Sequence, residues 1–221
     1  MKQSPARKTA NMVLGLLILT FTVIGIIATV RFAGGKMRDI TGDTARLQEY
    51  QKFLSPVVMN DPDTFDDITG ADQSQLISIA IWEILQNDPN PDDYGYFEGD
   101  MLLPQSEVEE SFAALFGTEL TVHHKDVDGG GIGFRYSESE KGYLIPITGV
   151  TPIYTPRIIS AEEKRDLVTL IVGYLAGEDF QQDSDGNIVA PEPAKYMKIT
   201  LRTAPDGSYF VSALQNAQQP D

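Results

Sequence analysis

The chain contains no cysteine, and among its 221 residues there are only two histidines and one tryptophan. Without cysteine there is no disulfide framework and no thiol for a lipoprotein anchor. An exported protein that uses no disulfide fits this composition. Basic residues are also scarce, with 17 Lys and Arg against 32 Asp and Glu, for a formal net charge of −15. Six of the 17 stand before Asp39 and no acid does, so residues 39–221 carry a formal −21. Phosphate neutralisation needs clustered Lys and Arg, which excludes a nucleic-acid partner for this part. The same deficit excludes adhesion to anionic headgroups. Such acidity ordinarily serves solvation; the alternative is a basic partner or divalent cations. No internal repeat, no GxSxG and no informative Ser/His/Asp order is present.

Charge is missing altogether from one stretch. Met12 to Val30, MVLGLLILTFTVIGIIATV, is 19 residues without a charged, Asn, Gln or Pro side chain. As a helix it reaches about 28 Å, close to the roughly 30 Å hydrocarbon core of a bilayer. An unpaired backbone group costs several kcal/mol there, so a lone spanning segment is expected to be helical despite its β-branched residues. Gly15 and Gly25 do not form a GxxxG dimerisation face. A cleaved signal peptide has a shorter apolar region followed by a small-x-small site. Here the nearest site, before Gly34, has Arg31 three positions back. The expectation is an uncleaved single-pass anchor.

Orientation follows from weaker signals. Lys2, Arg7, Lys8 and the amino terminus precede the span; Arg31, Lys36 and Arg38 follow it, opposed by Asp39. The positive-inside rule leans toward a cytoplasmic N-terminus. A strongly acidic domain is common outside bacterial cells, so the expected location is a cell membrane with the soluble domain outside.

The remaining chain divides by pattern. Residues 1–11 read as a cytoplasmic tail, 12–30 as the span, 31–70 as a juxtamembrane helix and linker, 71–215 as an α+β soluble domain, and 216–221 as a disordered tail. Leu47, Tyr50, Phe53 and Leu54 recur at helical spacing, and Pro56 is expected to kink or end that helix. It reads either as a stalk or as the first helix of the domain. A strong helix follows, with Asp72 as cap and Gln75 three residues later, and Asn87-Asp88-Pro89 stops it. Residues 87–104 read as an acidic loop. Another helix is expected from Ser106, with Glu109 completing a capping box and Gly117 as its stop.

After Gly117 the period changes to two. Residues 119–127 read as a strand, 131–147 as a hairpin, 156–177 as two strands and 194–215 as the cleanest hairpin, with Tyr209, Val211 and Ala213 on one face. The expected fold is α+β, with two or three helices packed on a curved antiparallel sheet of about five to six strands. A domain of this length, roughly 150–180 residues, can bury one adequate core.

DLVTLIVGYLAG, 166–177, and KYMKITLRTAPDGSYFVSALQ, 195–215, carry a likeness to a known fold. The order of elements resembles the nuclear-transport-factor-two-like superfamily, a cone-shaped α+β fold closed by a long hairpin. The resemblance covers about 60% of the soluble part, at fold level only. It implies a binding module or a bridging component of secretion machinery. Some soluble members are isomerases or dehydratases with an Asp or His in the cone.

The candidate chemistry is sparse. His123 and His124 are adjacent, and on a strand they point to opposite faces, so they cannot share a metal from one face. One of them, with an acid such as Asp126, is a candidate general base; the alternative is an ordinary strand or surface histidine. KDVDGGGIG, 125–133, opens no helix and reads as a glycine turn rather than a phosphate cradle. QQDSDGNIVAPE, 181–192, matches a calcium loop at Asp183, Asp185, Gly186 and Glu192. Gln181 replaces the first aspartate and two prolines forbid a following helix, so a solvated hairpin loop is the competing reading. Tyr94, Tyr96 and Phe97, among acids, form a candidate partner surface, since aromatics lead at interfaces. The alternative packs them onto the helices. The functional expectation is a membrane-anchored extracytoplasmic binding or assembly domain without catalytic activity, meeting a protein partner or a second copy. A small-pocket enzyme and a cation-dependent surface protein are the alternatives.

Overall fold

A computed structural model describes residues 41–87, 94–146, 152–177, 181–182, 188–189 and 191–219. The run Met12 to Val30 lies outside them, and among the described residues no helix is long and apolar enough to cross a membrane. Among the described residues the fold is α+β, with three α-helices, two antiparallel sheets of five and four strands, and a separate two-stranded pair.

Helix α1 spans Thr41–Asn60, and Tyr50, Leu54, Val57 and Val58 on it are buried in the core. It is therefore an integral helix of the domain. Pro56 neither ends it nor is exposed. Losing one helical hydrogen bond costs about 3 kcal/mol. Each fully buried Leu or Val beside it returns about 1.5–3 kcal/mol, which outweighs that cost. Asn60 closes the helix, its side-chain amide donating to the Pro56 carbonyl at 2.8 Å.

Helix α2 spans Gln73–Asn87. Asp72 caps it as expected, accepting from the Ser74 N–H at 2.8 Å. The reciprocal half of the capping box is absent. Gln75 instead pairs with Asp63, accepting from its N–H at 3.0 Å and donating to its carboxylate at 3.1 Å. Leu76, Ile77, Ile79, Ala80, Ile81 and Ile84 are buried, so α2 is apolar nearly all round and packs against both other helices.

Strands β1 (Gly95–Phe97) and β2 (Asp100–Pro104) form a hairpin inside the stretch read as a loop. Its turn residues Glu98 and Gly99 have φ of 56° and 92°, the left-handed pair that a two-residue hairpin requires. Helix α3 spans Gln105–Phe116. Pro104 precedes it without a side-chain cap, so Ser106 lies within the first turn and no capping box forms. Gly117, at φ 78°, ends it with its N–H on the Ala113 carbonyl.

Strands β3 (Val127–Asp128), β4 (Gly133–Ser137) and β5 (Gly142–Ile145) complete the first sheet, ordered β1-β2-β5-β4-β3. Strands β6 (Tyr154–Lys164), β7 (Leu167–Ala176), β10 (Lys195–Thr203) and β11 (Tyr209–Ala217) make the second, ordered β11-β10-β7-β6. The single sheet expected from the pattern is thus two sheets. Alternation reveals strands but not which edges share a ladder, because pairing is non-local. β8 (Gln181–Gln182) and β9 (Ile188–Val189) pair as a separate minimal hairpin. Residues Thr41–Gly177 and Pro193–Asp221 form one compact unit, and β8 and β9 lie outside it.

Two further corrections concern faces. Of the run 119–127 read as a strand, residues 119–126 form none; only Val127 pairs, with Asp128 beyond it. In the last hairpin the register shifts between Thr200 and Leu201, a bulge that places an extra residue at Ser212. One inserted residue flips the alternation. Val211 and Leu214 are therefore the buried pair, and Ala213 does not share their face.

Candidate functional site

The segment read as a strand is held by a side chain in place of a neighbouring strand. Gln73 donates to the Thr121 carbonyl at 2.8 Å and accepts from the His123 N–H at 2.9 Å. An amide side chain carries one donor and one acceptor group, as a strand edge does. Burial nevertheless alternates from Thr121 to His124. His123 faces solvent and His124 turns inward, with a side chain only 10% exposed.

His124 sits in a polar–aromatic cluster. Its ring stacks on Tyr136 at 5.0 Å and meets Tyr143 edge-on at 5.7 Å. Nδ1 lies 3.1 Å from the Tyr143 hydroxyl and Nε2 lies 2.9 Å from Glu109 Oε1. Burial pushes the Tyr143 phenol well above its ordinary value, against the pull of a hydrogen bond from the Lys125 backbone. With the phenol assigned as donor to Nδ1, the Nε2–H is left for Glu109. This tautomer follows from the network. Tyr136 donates to Gln105 at 2.6 Å, completing the cluster.

This order of carboxylate, imidazole and hydroxyl has the polarity of a nucleophile relay. The hydroxyl, however, belongs to Tyr143, which is fully buried. No substrate reaches it there, and the cluster works as an anchor tying α3 to β4 and β5. Asp126 is not brought to His124; its Oδ1 accepts the Tyr136 N–H at 2.8 Å.

The open hollow beside β3 and β4, about 370 Å³, is lined by Asp126, Asp128, Phe134 and Arg135 among others, and by neither histidine. Its floor is the glycine turn. Gly130 and Gly131 have φ of 78° and 90°, and Asp128 accepts the Gly131 N–H at 2.7 Å. A Cβ on Gly129 would lie 2.3 Å from Phe134. Trp82, half-buried, donates to the Gly129 carbonyl at 3.1 Å and meets Phe134 edge-on. The run 125–133 is therefore a packed turn with both aspartates engaged.

For cations, no group of three His, Asp or Glu side chains among the described residues could hold a metal ion. Asp183 and Asp185 lie outside the described residues, while Glu192 is exposed. The flanks of that loop pair as β8 and β9.

The aromatic candidates separate into two kinds. Tyr94 packs against the core and donates to Glu107 at 2.9 Å. Tyr96 and Phe97 do not pack inward; they are 51% and 37% exposed. They lie on β1, the last strand of its sheet, whose three residues are all exposed. Arg135 crosses the sheet to this hairpin, meeting Asp100 at 2.9 Å and Glu98 at 3.4 Å.

The other sheet ends are protected. The β11 edge is closed by Phe65, whose N–H and carbonyl exchange hydrogen bonds with Leu214 at 2.8 and 2.9 Å. β6 carries Pro156, a register shift at Ile158/Ser160, and Glu162, Glu163 and Lys164 at its end. These devices block further pairing. β3 has two residues and runs into the glycine turn. Only in β1, among these four ends, do neighbouring aromatics face water without a proline, a bulge or a charge inside the strand.

Sequence reasoning missed Gln73, Gln105, Glu109, Tyr136 and Tyr143 as partners of the histidine segment. Nothing in their spacing signals it, because they meet only through sheet register and helix packing. Comparison with family models, with curated proteins and with solved structures returned no match.

Proposed function

We propose that the chain is a single-pass membrane protein, N-terminus in the cytoplasm, whose residues 41–219 form an extracytoplasmic binding or assembly module without catalytic activity. The uncharged run Met12 to Val30 supports the anchor. One observation carries the binding reading: the terminal strand β1 presents Tyr96 and Phe97 to solvent, while among the described residues the other ends of the two larger sheets are closed, interrupted or only two residues long. Exposed aromatics on a strand edge are a recurring basis for recognition. The cone-shaped arrangement of the nuclear-transport-factor-two-like superfamily belongs to this reading, supported by helices that precede two long hairpins. The His124 cluster adds rigidity beneath the surface.

The test is photo-cross-linking in the native membrane. A photoreactive residue replaces Phe97 in the full-length chain, and a second replaces the exposed His123 as a control. Stoichiometric recovery of a defined membrane protein from position 97 alone is the expected result. Equal, diffuse labelling from both positions sinks the reading.

A further inference from the structure

We propose that β1 accepts, as an added strand, an extended cationic segment of a partner protein. This deepens the binding-module reading and rests on it. Three observations give the partner its chemistry.

The first is position. β1 is a terminal strand, and main-chain pairing at such an edge provides affinity that is indifferent to side chains. The second is shape. Three residues of strand span about 10 Å, so the contact is short and side chains must supply the selectivity. Tyr96 and Phe97 alternate to opposite faces of the strand, giving an incoming chain one aromatic wall on each side.

The third is charge. Glu107, in the first turn of α3, accepts a hydrogen bond from the hydroxyl of Tyr94, the residue directly before β1. Glu98 and Asp100 stand at the turn end. Arg135 is the cation paired to that group, so two carboxylates and one guanidinium mark one end and a carboxylate the other. Tyr94 and Glu98 are four residues apart, about 13 Å along extended chain, the spacing of Lys or Arg side chains four residues apart in an incoming strand. The whole of residues 39–221, at a formal −21, adds a field of the same sign. A second copy of this chain is disfavoured as the occupant, because two domains each at a formal −21 repel one another.

The test uses the full-length chain in lipid nanodiscs. The probe is an eight-residue peptide of alternating valine and threonine with arginine at its first and fifth positions. A matched peptide carries glutamate there. Hydrogen exchange is followed across residues 94–104, and affinity by peptide fluorescence. The expected result is slowed exchange confined to β1 with the arginine peptide, and at least tenfold weaker binding of the glutamate peptide. Phe97→Lys, at an exposed position, should weaken the arginine peptide at least tenfold, and high salt should weaken it further. Equal binding of both peptides overturns the cationic assignment, and protection elsewhere overturns the strand addition. Self-association of the chain in place of peptide binding overturns the proposed occupant. If neither peptide binds while cross-links from position 97 still recover a membrane protein, this proposal fails and the binding-module reading survives.

Discussion

The two sheets divide the work of the molecule. The four-stranded sheet has strands of 9–11 residues, and it supplies Val168, Leu170, Val172, Tyr174, Met197, Ile199, Leu201, Val211 and Leu214 to the core. Its ends are closed by Phe65 on one side and interrupted by Pro156 and a bulge on the other. The five-stranded sheet has strands of 2–5 residues, relies on side-chain ties such as Gln73 and the His124 cluster, and leaves aromatics exposed on β1. Long ladders with buried faces carry stability. Short strands with a supported edge leave room for recognition, which draws on the less stable parts of a fold.

The largest expected effect lies in the four-stranded sheet. Ile199→Ala should cost about 2–5 kcal/mol by urea denaturation, since Ile199 is fully buried. Leu102→Ala, at a half-buried position of β2, should cost less than half as much. Equal losses would erase the asymmetry between the sheets.

Alkaline pH should act on the same core. Burial, reinforced by the charge of Glu49, pushes the Tyr209 phenol up to about 12, and burial also raises Tyr174. Between pH 10 and 12 the native state therefore holds protons that the unfolded chain has released. Stability is fully present below pH 10 and falls as pH rises through that window. Circular dichroism with phenolate absorbance checks it; titration of every tyrosine near pH 10 with the fold intact would refute it.

Smaller effects belong to the five-stranded sheet. His124→Ala removes the acceptor of the Tyr143 hydroxyl and the partner of Glu109, and should cost about 1–3 kcal/mol. His123→Ala, facing solvent, should stay within about 0.5 kcal/mol. Gln73→Ala loses two hydrogen bonds, so about 1 kcal/mol and faster amide exchange over residues 121–124 are expected. Phe97→Lys should leave thermal unfolding nearly unchanged while weakening binding of the arginine peptide at least tenfold. A stability loss above about 1 kcal/mol would instead mark Phe97 as a packing residue.

Much of the architecture was legible in the residues. The long hairpins at 154–176 and 195–217 lie where the sequence reads two strands over 156–177 and a hairpin over 194–215. The helix at 73–87 shows its cap in Asp72, and the helix ending at Phe116 shows its stop in Gly117. The β1–β2 hairpin was hidden because three residues are too few for a period, although Glu98-Gly99 carried the turn signal. Helix α1 ran past Pro56 because burial outweighed a local preference.

By itself the sequence determined the class of fold, the acidic surface, the aromatic cluster before α3 and the apolar run at 12–30, all of which follow from composition and local period. Tertiary structure alone decided that the strands form two sheets, that His124 meets Glu109 and Tyr143 rather than Asp126, and that Tyr96 and Phe97 remain at an edge. Those outcomes depend on ladders and contacts between residues up to scores of positions apart, whose register no local pattern encodes.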